Sequence, residues 1–189
     1  MAEFDLLLHA CCGPCAEWPV RQLMQESVRF LAWFYNPNIH PAAENRRRRE
    51  NFLNLAGQLG FTAQAEPDCD PSSWLSWRPE QGSRCQMCYR RRLEAAAAKA
   101  AGMGIPAFTT TLLISPYQDH EALRRIGGEA GRKFGVDFLY RDFRPSFRQG
   151  QQMAREDGLY RQKYCGCILS LEESPFKEKI QCDLAGLAE

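Results

Sequence analysis

Seven of the nine cysteines sit in three short clusters: Cys11, Cys12 and Cys15 in HACCGPC, Cys85 and Cys88 in RCQMCYRRRLE, and Cys165 and Cys167 in YRQKYCGC. The thiolate form of cysteine binds metals and exchanges disulfides, so crowded thiols point to metal or redox chemistry. Cys85 and Cys88 are three residues apart where a helix is expected to begin, which puts both sulfurs on one face. There the backbone N–H groups and the helix dipole favour thiolate. A single C-x2-C fits zinc, iron–sulfur and redox pairs equally well. In the CGC segment, the central glycine lets the backbone bend tightly around something bulky.

Zinc and iron–sulfur centres saturate at four protein thiolates, so seven clustered cysteines leave three over. Those three either ligate a second metal with an open position or form a redox pair with a spectator. Neighbours such as Cys11 and Cys12 point in different directions along an extended chain, so such a pair can serve two adjacent centres. A lone zinc staple that holds a nucleic-acid-binding module together is the alternative. Structural zinc usually ties a compact local knuckle, whereas these clusters span most of the chain. Cys69 and Cys182 stand alone and read as ordinary thiols.

The clusters must be positioned by a regular framework, and the apolar pattern supplies one. Residues 4–10 read as a buried strand, 17–25 as a helix, 28–35 as a strand and 42–59 as a helix stopped by Gly60. Strands over 61–66, 107–112 and 136–140 alternate with helices that begin near Cys85, at Asp119 and at Phe147, and a last short helix follows CGC. The NPNIHP segment is a loop, since two prolines exclude a regular ladder. Residues 67–83 read as irregular. Such alternation predicts one α/β domain over 1–189, a Rossmann-like parallel sheet with helices on both faces. In that architecture ligands bind at the carboxyl ends of the strands, and HACCGPC follows the first strand directly.

Formal net charge is +1, so nothing steers the whole chain toward nucleic acid. Its arginines instead bunch at Arg46 to Arg49, at Arg90 to Arg92, and through Arg141, Arg144 and Arg148. No apolar run approaches the roughly 20 residues of a membrane span, and the acidic start MAEFD is unlike a signal peptide. The expected location is cytoplasmic, without membrane partners. In that reducing compartment an odd number of cysteines argues against a disulfide framework.

HACCGPC, FYNPNIHP, RCQMCYRRRLE, TTTLLISPYQDH, DFRPSF and YRQKYCGCILS follow the order found in epoxyqueuosine reductases of the QueH type, which the chain resembles from about residue 5 to about 172. The resemblance implies a fold similar to the adenine-nucleotide alpha-hydrolase-like (HUP) group, with cysteines where relatives carry a phosphate loop. No SGG or G-x4-GK loop follows the first strand here, so no ATP chemistry is expected. It further implies reductive deoxygenation of epoxyqueuosine to queuosine at the wobble position of tRNA. The implied cofactors are a 4Fe–4S cluster and an additional mononuclear metal ion, iron or zinc. Removing an epoxide oxygen as water takes two electrons and two protons. Clusters pass one electron at a time, so an external donor of the ferredoxin or flavodoxin type is expected, and an open-sided metal would add Lewis acidity.

Treating the helix-start pair as a unit and splitting the other pairs assigns Cys12, Cys85, Cys88 and Cys167 to the cluster. Cys11, Cys15 and Cys165 are then left for the second metal. Asp142, Tyr164 and His9 are the proton-donor candidates, although an aspartate between arginines is more often an ion-pair anchor. Tyr35, Asn36 and Asn38 are assigned to the substrate base. Arg84, Arg91, Arg144, Arg161 and Lys163 flank the cysteines and are assigned to phosphate. Trp74 and Trp77 either stack on a base or plug the core.

Overall fold

The run LLLHA forms β1 (Leu6–Ala10), and FLAWF forms β2 (Phe30–Phe34); every residue of both is buried, as central parallel strands require. A computed structural model describes residues 3–66 and 69–185. Shorter strands β3 (Ala63–Ala65), β4 (Ala107–Thr110) and β5 (Asp137–Phe138) complete a five-stranded sheet in the order β3-β2-β1-β4-β5. Every pairing is parallel. The helices are α1 (Gly13–Gln25), α2 (Ala42–Leu59), α3 (Ser72–Leu75), α4 (Arg84–Gly102), α5 (His120–Phe134), α6 (Phe147–Glu156), α7 (Ile168–Glu172) and α8 (Lys177–Ala185).

Side chains alternate across a strand, so β1 feeds two cores. Leu7, Leu31 and Phe108 pack with Leu93, Ala97, Leu123 and Ile126 from α4 and α5. Leu6, Leu8 and Ala10 pack with Val20, Leu23, Phe52, Leu55 and Ala154 from α1, α2 and α6. Helices therefore cover both faces, as the alternating pattern predicts. Strand order reverses between β1 and β4, which opens a crevice beyond their carboxyl ends. The loop that carries Cys11 and Cys12 lies there.

Several boundaries differ from the sequence reading. α1 begins at Gly13, since Cys12 adopts an extended N-cap conformation and Pro14 suits the first turn. The expected strand over 107–112 stops at Thr110, whose hydroxyl accepts from Leu112 N at 3.2 Å and starts a 3-10 turn, Thr111–Ile114. The irregular stretch holds α3 and a 3-10 turn, Pro79–Gln81, and the tail forms two helices where one was expected.

Helix α5 lies close against β5. A Cβ at Gly131 would meet Val136 O at 2.6 Å, and one at Gly127 would meet the Phe138 ring. Alanine at an ordinary helix position gains about 1 kcal/mol over glycine. Gly131→Ala is expected to reverse that sign and cost roughly 1–3 kcal/mol, because backbone must move. Urea midpoints for Gly131→Ala and for Gly128→Ala, whose Cβ would meet only the Arg132 side chain at 3.6 Å, compare the two effects.

Candidate metal and substrate site

Where β1 gives way to α1, three sulfurs converge: Cys11, Cys12 and Cys15 lie within 4.8 Å of one another. The Cys11 and Cys12 sulfurs are 3.9 Å apart. Cys12 is itself extended, and the helix that starts at Gly13 brings the Cys15 sulfur back beside the vicinal pair. Thr111, just beyond β4, accepts from Cys11 N at 2.9 Å and donates to Cys11 Sγ at 3.1 Å, joining the two loops of the crevice. Hydrogen bonds from Cys12 and then Cys15 hold the Cys11 thiol well below its usual range, and the Arg92 charge and Thr111 hydroxyl add to this. Cys12 is pushed up to about 12, first by its hydrogen bond to Cys11, and Cys15 rises for the same reason. Three sulfurs thus share one favoured thiolate, and a bound cation would displace the remaining protons.

The other four clustered cysteines, Cys85, Cys88, Cys165 and Cys167, lie near enough to act on one another's charge, but among the described residues their sulfurs do not form a group as tight as the first. Ser83 caps α4, accepting from Gln86 N at 3.4 Å, and this sets Cys85 exposed and Cys88 buried in the first turn. Gly166 takes φ +137°, a conformation that side chains rarely adopt, and it turns Cys167 inward. Cys167 Sγ then caps α7 by accepting from Ser170 N at 3.3 Å. Cys88 and Cys167 pack together against the fully buried Trp74. Burial pushes Cys88 up to about 12; the nearby Cys165 and Cys167 add to the rise, and Arg92 opposes it. Cys165 is raised by burial too, with Cys167 and Cys85 close by.

Two buried arginines stand between these groups. Arg92 is 3% exposed, donates to Asn36 Oδ1 at 2.6 Å, and its charge acts on Cys11, Cys88 and Cys165 alike. Arg48 pairs with buried Glu44 at 2.6 Å and donates to Cys165 O at 2.9 Å and Tyr164 O at 3.1 Å. A cavity of about 820 Å³ opens above the sulfurs, with Cys11, Cys12, Cys15 and Cys165 in its lining. Among the described residues that lining contains six cations and no carboxylate. Three of its buried polar atoms have no partner: Asn38 Oδ1, Gln162 Oε1 and Arg92 Nε. A sulfur-rich donor set, buried positive charge and orphaned hydrogen-bonding atoms fit an anionic metal–sulfur group with a polar ligand above it.

The profile of the family described as Epoxyqueuosine reductase QueH matches residues 6–173. This chain is a member of that family. QueH proteins are oxidoreductases, and the chain is similar to several. It is 35% identical over 179 residues to Epoxyqueuosine reductase QueH of Haemophilus influenzae, covering 89% of this chain and 72% of that one. Corresponding values are 33% over 166 residues for the Dehalococcoides mccartyi protein (87% and 91%) and 32% over 178 residues for the Thermotoga maritima protein (89% and 91%). Among solved structures, a deacetylase–teicoplanin complex aligns with a TM-score of 0.48 and 14% identity over 80% of this chain and 85% of that one.

In this QueH chain the remaining expected site residues divide between the cavity and its supports. Asn38, Arg161, Lys163 and Tyr164 line the cavity. Asn36 is fully engaged: it donates to Ala10 O at 2.9 Å, and its carbonyls accept from Arg92 and Asn45, so it organises the site from beneath. The Tyr35 ring stacks on Trp33 at 4.9 Å, in the core. Arg84 forms a two-pronged pair with Glu173 at 2.8 and 2.9 Å, and Arg91 bonds Ser73. Tyr164 OH donates to His40 O, so its proton points away from the cavity toward the NPNIHP loop. Hydrogen bonds from Arg144 hold exposed Asp142 down to about 2, so it is paired as an anion near neutrality. Trp74 plugs the core and Trp77 donates to Gly82 O at 3.1 Å.

His9 is also a support. Its Nε2–H donates to Tyr35 O at 3.1 Å, and Nδ1 accepts from the Thr110 hydroxyl at 2.8 Å, which ties β1 to both neighbouring strands. Burial, with help from the Arg92 charge, depresses its pKa from 6.5 to about 3. The unfolded chain therefore binds a proton that the folded chain refuses. Stability is expected to fall as pH drops from 6.5 toward 3, by up to about 1.4 kcal/mol per pH unit. Urea titrations at stepped pH check this, and the slope should be shallower for His9→Gln.

Arg48, Arg92 and Gln162 escaped the sequence reading. Two of them carry a usable signal. Arg92 continues the face of Cys85 and Cys88 at i+7 and i+4, and Arg48 stands at i+4 from Glu44.

Proposed function

We propose that this chain reduces epoxyqueuosine to queuosine at the wobble position of tRNA. A 4Fe–4S cluster would be held by Cys85, Cys88, Cys165 and Cys167, and a second metal, iron or zinc, by Cys11, Cys12 and Cys15. The observation that supports this reading is a tight group of three sulfurs, Cys11, Cys12 and Cys15, which lines with Cys165 a cavity whose described lining is cationic and free of carboxylates. When bound, such groups supply one-electron transfer and Lewis acidity to a reaction that consumes two electrons and two protons and releases water.

The chain's own side chains do the rest. Arg48 and Arg92 offset the negative charge that sulfur ligands concentrate in a low-dielectric floor. Gln162 donates to Cys12 Sγ at 3.2 Å while its orphaned Oε1, with Asn38 Oδ1, offers acceptors to hydroxyl or amine groups of a bound nucleoside. Arg161 and Lys163 stand at the cavity lining as contacts for phosphate. Tyr164 anchors the loop bearing Cys165 and Cys167 through its hydrogen bond to His40 O. Electrons come from a ferredoxin- or flavodoxin-type donor. Among the described residues no helix is long and apolar enough to cross a membrane.

The test is anaerobic purification followed by iron, zinc and sulfide analysis, a visible absorption scan, and incubation with epoxyqueuosine-containing tRNA and a chemical reductant. Broad visible absorption, bound sulfide and a product nucleoside lighter by one oxygen are expected. A colourless protein that holds a single zinc and leaves the nucleoside unchanged would overturn the reading.

A further inference from the structure

We propose that the rim of the cavity is a docking surface for single-stranded RNA, in which Tyr117 stacks on a base neighbouring the one being processed while Arg148 and Arg155 grip the backbone. This rests on, and deepens, the reading that a nucleotide in RNA is the substrate. Tyr117 lies on the loop after β4, opposite the loop that carries Cys11 across the strand-order reversal. Tyr117 is 83% exposed, yet its ring is braced edge-on by Phe147 at 5.9 Å with an interplanar angle of 85°. Ser115 Oγ accepts from Tyr117 N at 3.3 Å and fixes the turn. An aromatic ring that is exposed and yet held from one side leaves its other side free to stack on a base, and every base has such a face.

The charge at the rim is equally particular. Arg148 and Arg155 are seven residues apart on α6, hence on one side of the helix, and both line the cavity. Neither makes an ion pair among the described residues, and Arg161 beside them bonds only Gln151, at 3.3 Å. Other arginines are neutralised: Arg21 pairs with Glu17 and Asp157, and Arg141 pairs with Glu26, each at 2.6 Å. Unpaired cations that flank an exposed ring form the combination by which sequence-tolerant single-strand binders hold RNA. Cys11, Cys12, Cys15 and Cys165 line the cavity, where a splayed nucleoside reaches them and a flat acidic protein surface does not. This favours RNA over an acidic redox partner as the occupant of the rim.

Binding is read without turnover, on the metal-loaded protein, using a short RNA hairpin whose unpaired loop carries guanine in the wobble position. Tyr117→Ala is expected to weaken binding roughly tenfold, and Tyr117→Trp to restore it. The double variant R148Q/R155Q should weaken binding and lower the slope of log Kd against log salt by roughly 1.4, two phosphates at about 0.7 each. Should either Tyr117→Ala or the double arginine variant bind the hairpin as the parent does, the docking surface is wrong even if the enzyme still deoxygenates tRNA. It is equally wrong if the variants lose affinity only for a flavodoxin. Conversely, the predicted losses in a protein with no reductase activity would uphold the RNA surface and overturn the proposed reaction.

Discussion

Arg48→Ala is expected to lower the melting temperature of the metal-free protein by roughly 10 °C, whereas Arg46→Ala, two residues away on the same helix, should leave it nearly unchanged. Arg48 is 2% exposed and its partner Glu44 is fully buried, their atoms 2.6 Å apart. Removing one member of a buried pair strands the other charge, at a cost of about 3–5 kcal/mol. In a domain of this size each kcal/mol moves the midpoint by about 2–4 °C. Arg46 is exposed and supports no such network. The pair also reaches well beyond α2. Tyr160 OH donates to Glu44, and Asn51 exchanges hydrogen bonds with the Tyr160 backbone at 2.8 and 3.1 Å. Arg48 itself holds the carbonyls of Tyr164 and Cys165. A double variant, E44L/R48M, should therefore regain most of the stability while still binding less iron, since nothing then clamps the CGC loop. Thermal melts together with iron analysis separate the two effects. Equal shifts for Arg46→Ala and Arg48→Ala would refute the network.

Cysteine substitutions are expected to split into two classes. Cys88→Ser removes the sulfide-containing iron and lowers turnover by well over roughly a hundredfold, more than the loss of a ligand's supporting contact usually causes. Cys12→Ser also abolishes turnover but leaves bound sulfide and most visible absorption in place. The physical basis is distance. The three sulfurs at the start of α1 lie within 4.8 Å of one another, while Cys88 packs with Cys167 under Trp74. Iron and sulfide per chain, measured after anaerobic reconstitution, provide the check. If both variants came out stripped of sulfide, the seven thiolates would have to be divided differently.

What the chain discloses before it is folded is its inventory. Three cysteine clusters, an alternation of strands and helices, and the glycine of CGC are local patterns, because ligand chemistry and side-chain periodicity act over a few residues. α2 is bounded at Ala42 and Leu59 as the sequence predicts, since Gly60 adopts the left-handed conformation that ends a helix. Clustered arginines were legible only as a run. Among Arg46 to Arg49, Arg48 alone is buried, and among Arg90 to Arg92, Arg92 alone. Successive helix positions are rotated by about 100°, so one residue in such a run faces the core, and which one depends on what packs against the helix.

Folding decides which of the seven sulfurs meet. Cys11 approaches Thr111 because β1 pairs with β4, and the segment 160–165 reaches α2 because Asn51 and Arg48 receive it across more than a hundred residues. No local pattern records such contacts. They arise because the parallel order β3-β2-β1-β4-β5 delivers loops from distant parts of the chain to the same edge of the sheet. The residues alone named the thiols, and the topology paired them, because coordination depends on distances between loops that only strand order and helix packing set.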